Sequence, residues 1–248
     1  MKPVPVIEIK GLVTRFGERT ILDNVDLDFY QNEVTVILGG SGSGKTTLLK
    51  SILGLVTPQA GEVKLFGQEF DLENEVAVNT TLQRIGVLFQ NGALLNSISV
   101  LENLAIPLEQ HTKLNPALIQ RIGRVKLGMV GLAHAAHQLP SELSGGMRKR
   151  AALARSIALD PELLFCDEPS AGLDPITSAA LDELILTLRD QLQMSIVVVT
   201  HELASIHRIA DRIVFLDEGK ILFHGSVPEA KKCGLEVVEN FFKVGTFS

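Results

Sequence analysis

The sequence predicts an α/β fold that combines a mostly parallel sheet, an antiparallel β subdomain and an inserted α-helical subdomain. Short apolar runs, several of them rich in β-branched residues, are typical of buried parallel strands, and helical apolar spacing recurs between them. Strands near the start of the chain alternate apolar and charged residues, whereas a long middle segment shows helical periodicity almost throughout. At 248 residues, the chain can bury a large core as one domain.

The antiparallel part is predicted from three segments in which apolar and charged side chains tend to alternate. These segments are residues 6–13, 25–29 and 62–66. Such alternation is typical of a sheet with one face toward the core and the other toward water.

The parallel core is predicted from a buried strand, a glycine-rich turn and a helix that Pro58 ends, followed by further apolar runs. Strands that alternate with helices in this way imply a mostly parallel sheet. We expect strands at residues 34–38, 85–89, 163–166 and 196–199, helices at residues 48–56 and 176–193, and a hairpin joining residues 212–216 to residues 220–224.

The helical insertion is predicted at residues 93–158, with helices at residues 116–127 and 147–159. The whole chain, residues 1–248, is then one domain. Residues 1–92 and 159–230 form its core together with the antiparallel part, and residues 231–248 form a tail with a small helix.

Composition restricts the classes of function. The formal net charge is −6 and the isoelectric point is about 5.6, whereas a nucleic-acid-binding domain is usually basic. Apolar residues make up 46% of the chain, but the longest charge-free stretch, residues 85–101, is shorter than the roughly 20 residues of a spanning helix. We therefore expect no nucleic-acid partner and no membrane-spanning segment.

The glycine-rich turn matches the pattern G-x-x-x-x-G-K-[ST] in the required place, after a strand and at the start of a helix. Its backbone N–H groups can surround a phosphate, Lys45 can reach the β and γ phosphates, and the Thr46 hydroxyl can bind Mg²⁺. The predicted phosphate-binding residues are Gly39, Gly40, Ser41, Gly42, Ser43, Gly44, Lys45, Thr46 and Thr47.

Two carboxylates end the apolar strand at residues 163–166. Asp167 fits a Walker B aspartate that holds Mg²⁺. Glu168 points to the opposite side as long as the chain stays extended, where it could orient and deprotonate an attacking water. A strand-end turn with solvated acids is the alternative.

Two further polar groups stand where anions bind. His201 follows the strand at residues 196–199, at the edge where open α/β sheets bind ligands, although a surface or core histidine is the alternative. Ser144, ahead of Gly145, Gly146 and the basic run Arg148-Lys-Arg, suits the N-cap of a helix whose N–H groups could bind a second anion. Whether both helix N-termini meet one phosphate stays open.

Taken together, these residues closely resemble the ATP-binding cassette (ABC) ATPases over about residues 6–230. The resemblance rests on the order of the P-loop, Phe89-Gln90, Leu-Ser-Gly-Gly at residues 143–146, Asp167-Glu168, Ser-Ala-Gly-Leu-Asp at residues 170–174, and His201. It implies a RecA-like P-loop core that hydrolyses ATP with Mg²⁺.

The resemblance also implies roles for single residues. Gln90 resembles the Q-loop glutamine, which senses Mg²⁺ and couples to a membrane partner. Ser144, Gly145 and Gly146 resemble signature residues that bind the γ-phosphate held by a second subunit. Asp174 resembles the D-loop aspartate, His201 the switch histidine and Phe16 the aromatic residue that stacks on adenine.

Met147 replaces the usual glutamine after the signature, and it also occurs in one subgroup that the chain resembles, the ATPases of MCE-type (Mla-like) lipid-transport systems. Residues 89–94, 140–147 and 174–177 carry this finer resemblance. The family resemblance implies a homodimer that sandwiches two ATP molecules and works with transmembrane permease subunits, and the finer resemblance adds an MCE-domain lipid-binding protein. It also implies a peripheral position on the cytoplasmic face of the inner or plasma membrane.

Three alternatives stay open beside a phospholipid-transport ATPase. The chain could transport another solute or a lipoprotein. It could be a soluble cassette acting on nucleic acid or ribosomes, although the segment between Gln90 and Ser144 lacks the long coiled coil of DNA-repair cassettes. It could also bind nucleotide without hydrolysing it, although Glu168 and His201 are both present.

Overall fold

The computed structural model describes residues 4–244, with the side chain of residue 244 outside the description. Two compact units make up the chain. The first unit contains the chain up to Leu82 and the chain from Ser195 onward, and the second unit is Gln83–Met194.

An antiparallel sheet of four strands lies in the first unit. Its strands follow the order β2-β1-β4-β5. They are β1 (Pro5–Phe16), β2 (Arg19–Tyr30), β4 (Ala60–Leu65) and the short β5 (Gln68–Glu69). Inward residues such as Ile9, Leu27 and Phe29 are buried while their neighbours are half-buried or exposed, so the predicted antiparallel subdomain is confirmed.

The other strands of the first unit form a mostly parallel sheet. They are β3 (Val34–Leu38), β8 (Ser195–Val199), β9 (Arg212–Asp217) and β10 (Lys220–Gly225). β3 lies between β8 and β9 and runs parallel to both, and every residue of β3 and β8 is buried. β9 and β10 form the predicted antiparallel hairpin, whose turn residues Glu218 and Gly219 both have a positive φ.

The helices of the first unit are α1 (Lys45–Ile52), α2 (Glu75–Leu82), α7 (Leu203–Ile209), α8 (Val227–Ala230) and α9 (Glu236–Val244). The helix predicted to continue to Val56 ends four residues earlier, because Gly54 adopts a left-handed φ of 69° and turns the chain away. The small C-terminal helix is present as α9, and residues 245–248 of the predicted tail lie outside the described residues.

The second unit contains the parallel pair β6 (Ile85–Leu88) and β7 (Leu163–Asp167). The chain between them is mainly helical. Its helices are α3 (Val100–His111), α4 (Pro116–Met129) and α5 (Gly145–Ser156), with 3₁₀ turns at Ala133–Ala135 and Pro140–Glu142. α6 (Pro175–Leu192) follows β7. The predicted boundaries of the helical subdomain at residues 93 and 158 stay a prediction.

Apolar packing and end caps hold the helical part of the second unit together. Ala105, Leu108, Ile119 and Ala158 form one buried cluster that joins α3, α4 and the end of α5. Ser99 and Glu102 form a capping box at the start of α3 and satisfy N–H groups that the helix itself cannot pair. Among the residues that the structure describes, no helix is both long enough and apolar enough to cross a membrane.

Candidate functional site

The predicted site residues are distributed over both units. Phe16, the residues from Gly39 to Thr47 and His201 belong to the first unit, and the remaining candidates belong to the second. The geometry of each group is described within its own unit.

The glycine-rich loop runs from the buried end of β3 to the start of α1. Gly39 has a φ of 149°, and a Cβ atom there would lie 1.9 Å from the Leu216 carbonyl oxygen, so only glycine fits this position. Gly44 is the N-cap of α1 and offers no side chain to the first N–H groups of the helix. A phosphate could accept hydrogen bonds from these N–H groups, as the motif predicts.

Lys45 is folded onto its own loop. Its Nζ donates hydrogen bonds to the carbonyl oxygens of Gly39 at 2.9 Å and Gly40 at 2.8 Å, and lies 3.4 Å from Ser43 Oγ. Lys45 is half-buried, whereas the Thr46 side chain beside it is exposed. The loop therefore holds a cation and an exposed hydroxyl within one helical turn.

His201 follows β8 at the same edge as the loop. β3 and β8 are neighbouring parallel strands with Ile37 opposite Val199, so their carboxyl ends lie side by side. The His201 side chain is exposed and follows the buried Thr200. The structure therefore brings His201 and the loop to one edge of the sheet, as predicted.

Phe16 ends β1 at the tight turn to β2, and 54% of its surface is exposed. A ring so accessible can stack on a planar ligand. Its role in stacking on adenine stays a prediction.

Asp167 ends β7, and the chain turns sharply at the next residue. Glu168 has a φ of 46°, in the left-handed region, and its carbonyl oxygen accepts a hydrogen bond from the Ala171 N–H at 3.2 Å. The chain does not stay extended at Glu168, because the strand ends at Asp167 and a turn begins, so the condition for the expected orientation of the Glu168 side chain is not met. Both acidic side chains are half-buried.

Gln90 stands in the turn after β6, at the same edge as Glu168, because β6 and β7 are parallel with Leu88 opposite Cys166. The Gln90 side chain is exposed. Its carbonyl oxygen accepts a hydrogen bond from the ammonium of Lys149 on α5, and the same ammonium donates to the Glu168 carbonyl oxygen at 3.2 Å.

A cavity of about 450 Å³ lies beside Lys149 and the Gln90 turn. It is lined by Gln90, Asn91, Gly92, Gly145, Arg148, Lys149, Ala171 and Gly172. Within the second unit, the loop at Gln90, the start of α5 and the turn after Glu168 therefore surround one space.

Ser144 caps α5, as predicted. Its Oγ accepts a hydrogen bond from the Met147 N–H at 3.3 Å, and its side chain is exposed. Gly145 is exposed and Gly146 is half-buried, and a Cβ atom on Gly146 would lie 2.6 Å from Thr177 Cγ2. The helix start can therefore offer a hydroxyl and N–H groups to an anion.

Asp174 caps α6, a role that the sequence motifs did not predict. Its carboxylate accepts hydrogen bonds from the N–H groups of Ile176 at 3.1 Å and Thr177 at 3.0 Å, and from Thr177 Oγ1 at 2.5 Å. The Thr177 hydroxyl, with further help from backbone N–H groups, holds the pKa of Asp174 below its usual value. The carboxylate therefore stays ionised and fixed at the start of the helix.

Lys149 and Arg155 are the functional candidates that sequence reasoning missed. Both come from α5, and the Arg155 guanidinium donates to the carbonyl oxygens of Ala93 at 2.8 Å and Gly92 at 3.0 Å. Lys149 belongs to the basic run after the signature, but the sequence of that run does not show which of its three basic side chains is buried.

Comparison with protein families identifies a transporter family. The family model described as "ABC transporter" matches residues 22–171, more than half of the chain.

Comparison with single proteins gives relatives of about 40% identity. The intermembrane phospholipid transport system ATP-binding protein MlaF of Haemophilus influenzae is 42% identical over 221 residues, which are 89% of this chain and 84% of the relative. The probable ribonucleotide transport ATP-binding protein mkl of Mycobacterium leprae is 40% identical over 88% of this chain and 63% of the relative.

Among solved structures, the fold is similar to that of a dimeric ATP-binding cassette in a post-hydrolysis state bound to ADP and Pi. The TM-score is 0.80 and the identity is 29%, over 89% of this chain and 98% of that one. The predicted fold class is therefore confirmed.

Proposed function

Because the chain belongs to the ABC transporter family and is an ATPase, we propose that it powers the transport of phospholipids between membranes. One observation carries this proposal: the 42% identity to a phospholipid-transport ATP-binding protein extends over 89% of the chain. The match includes the segments around Gln90, Ser144 and Asp174 through which the sequence resembles lipid-transport ATPases.

An ABC ATPase binds ATP, and the loop from Gly39 to Thr47 supplies the groups for its phosphates. We assign the backbone N–H groups and Lys45 to the phosphates and the exposed ring of Phe16 to the adenine. The Lys45 ammonium, which donates to the Gly39 and Gly40 carbonyl oxygens, would also donate to the phosphates.

The oxygen donors present fit Mg²⁺, which prefers carboxylate, hydroxyl and amide oxygens. The exposed Thr46 hydroxyl, the Asp167 carboxylate at the end of β7 and the Gln90 amide are the groups that would hold it. The ion would neutralise charge on the phosphates when bound.

Hydrolysis needs a base for water and donors for the developing phosphate charge. Glu168 is half-buried and follows Asp167, so we assign it as the base that takes a proton from the attacking water. Lys45 stabilises negative charge on the terminal phosphate, and His201 donates a hydrogen bond to it.

ABC ATPases dimerise and work with transmembrane partners, and the similar solved structure is itself a dimer. We propose that two copies of the chain enclose two ATP molecules. Ser144, Gly145 and Gly146 of one copy would bind the γ-phosphate held by the other, with Asp174 beside them. The exposed Ser144 hydroxyl and the open start of α5 support this role.

The remaining partners are proposed from the same resemblance. Permease subunits would receive the motion near Gln90 and hold the chain on the cytoplasmic face of the inner or plasma membrane. An MCE-domain protein would carry the lipid, and no nucleic acid takes part, which agrees with the net charge of −6.

The test uses the full chain purified with its membrane partners and reconstituted into vesicles that contain a fluorescent phospholipid. We expect ATP-dependent transfer of the lipid to acceptor vesicles. Glu168→Gln should bind ATP yet lower the hydrolysis rate by about 10²-fold or more, and transfer should stop with it. Glu183→Gln makes the same change on the exposed face of α6 and should keep both activities.

Each result decides one part of the proposal. Undiminished hydrolysis by Glu168→Gln would remove Glu168 as the base. If a solute, a ribonucleotide or a lipoprotein stimulates ATP hydrolysis and no lipid is transferred, that compound and not phospholipid is the transported substrate. Retention on ribosomes or DNA in place of a membrane protein would reject the transport function.

A further inference from the structure

Lys149 is a buried cation that neither the sequence motifs nor the family match assigns to the reaction. It lies in the second turn of α5, and only 9% of its surface is exposed. Lysine is almost never this buried unless hydrogen bonds and nearby opposite charges compensate for the loss of water. Its partners therefore indicate what the side chain does.

The Lys149 ammonium joins two loops through their main chains. It donates to the carbonyl oxygen of Gln90, in the turn after β6, and to the carbonyl oxygen of Glu168, in the turn after β7. Hydrogen bonds from an ionised donor are about twice as strong as neutral ones, and an ammonium has three hydrogens to distribute. One side chain thus links the residue proposed to couple to the membrane with the residue proposed to activate water.

The backbone at Glu168 gives this link a specific purpose. Glu168 has a left-handed φ of 46°, which is strained for a residue that carries a Cβ atom and must be held by its surroundings. Its carbonyl oxygen is held by the Ala171 N–H and by Lys149. Since the carbonyl and the carboxylate belong to one residue, fixing the peptide plane also fixes where the side chain starts.

Lys149 and two carboxylates of the same unit act on one buried thiol. Burial, followed by the charges of Asp167 and Asp182, raises the pKa of the Cys166 thiol, whereas Lys149 lowers it. The Cys166 thiol is therefore within electrostatic reach of this cation and of two carboxylates of the same unit. Arg155, from the same helix, donates to the carbonyl oxygens of Gly92 and Ala93, later in the turn after β6. Lys149 therefore holds chiefly the start of that turn, at Gln90.

Resting on the proposed function, we propose that the Lys149 ammonium is a positioning residue for ATP hydrolysis. By holding the Gln90 and Glu168 carbonyl oxygens together, it places the Glu168 carboxylate for the attacking water. It also transmits displacement of the Gln90 turn to that carboxylate. It does not touch the nucleotide itself.

The test compares two buried lysines in the full-length chain. Lys149→Met keeps the length of the side chain and removes the donor. It should lower kcat for ATP hydrolysis by roughly 10- to 100-fold, with KM for ATP changed by less than about twofold, because a misplaced group impairs the transition state more than binding. Lys149→Arg keeps the charge and donors and should recover most of kcat.

The matched control is Lys126→Met. Lys126 is similarly buried at 4% exposure, but it pairs with Asp160, away from both turns. It should lose thermal stability as Lys149→Met does while its folded fraction retains the wild-type kcat. If kcat falls and KM stays the same in Lys149→Met but not in Lys126→Met, the effect comes from lost positioning and not from general destabilisation.

Three results would overturn the inference. They are a wild-type kcat in Lys149→Met, the same loss of kcat in Lys126→Met, or no recovery in Lys149→Arg. If Lys149→Met does not fold, Lys149→Gln decides, since a neutral amide donates weaker hydrogen bonds and a wild-type kcat would exclude a need for the ammonium. Glu168→Gln judges the proposed function separately: if it is inactive while the Lys149 variants are unaffected, only the positioning role fails.

Discussion

Replacing Gly146 by alanine would test how closely α5 approaches α6. A Cβ atom on Gly146 would lie 2.6 Å from Thr177 Cγ2, well inside van der Waals contact. Thr177 cannot simply rotate away, because its Oγ1 donates a 2.5 Å hydrogen bond to the Asp174 carboxylate that caps α6. The substitution must therefore either separate the two segments or break that hydrogen bond.

The expected loss of stability follows from two opposing contributions. Overfilling a packed contact costs about 1–3 kcal/mol, and the higher helix propensity of alanine offsets up to about 1 kcal/mol of it. A net loss of about 1–2 kcal/mol lowers Tm by roughly 2–8 °C in a chain of this size. Thr177→Ser removes Cγ2 and keeps the hydroxyl, so Gly146→Ala with Thr177→Ser should recover most of that loss.

The energetic coupling between residues 146 and 177 is measured by thermal unfolding, followed by circular dichroism, of the wild type, both single variants and the double variant. NMR titration of the Asp174 carboxyl adds a second measurement, because rotation of Thr177 would raise its lowered pKa back toward the usual value. A Tm of Gly146→Ala at or above that of the wild type would refute the reasoning. A double variant no more stable than Gly146→Ala would refute it as well.

Three further predictions concern the loop after β3 and the start of α3. Gly39→Ala places a Cβ atom 1.9 Å from the Leu216 carbonyl oxygen, so we expect loss of ATP binding in a fluorescent-nucleotide assay; wild-type affinity would contradict this. Ser99→Ala breaks the capping box and should cost about 1 kcal/mol, seen as a lower Tm with unchanged kcat. Hydrogen bonds from the Ser99 side chain and backbone hold the pKa of Glu102 below its usual value. The ionised Glu102 therefore stabilises the fold fully at any pH above its usual pKa, and this contribution is lost as the pH falls through its lowered pKa. Chemical denaturation between about pH 6 and 3 should therefore show a shallower loss of stability in Ser99→Ala than in the wild type.

The strands of the parallel sheets were predictable because burial leaves a simple pattern. Every residue of β3 and β8 is buried, and a continuous apolar, β-branched run of this length is typical of a strand covered on both faces. α2, in contrast, was not predicted. None of the residues of Glu75–Leu82 is buried, so this helix has no apolar stripe by which a sequence could reveal it.

The candidate site was predictable where a chemical role demands fixed residue types at fixed spacing. The glycine-rich loop is such a case, since a P-loop needs its glycines and its lysine in one fixed order. The left-handed φ of Glu168 and the inward turn of Lys149 were not predictable. The first depends on how the chain leaves β7, and the second depends on which face of α5 meets the turns at Gln90 and Glu168.

The left-handed backbone at Glu168 sets stability and chemistry against each other. Glycine or asparagine would adopt a φ of 46° with less strain than glutamate, so either could make the fold more stable at this position. Neither could serve as the proposed base. Selection of this chain for heat resistance alone would therefore favour variants that last longer and hydrolyse less, and engineering for durability should keep residue 168 fixed.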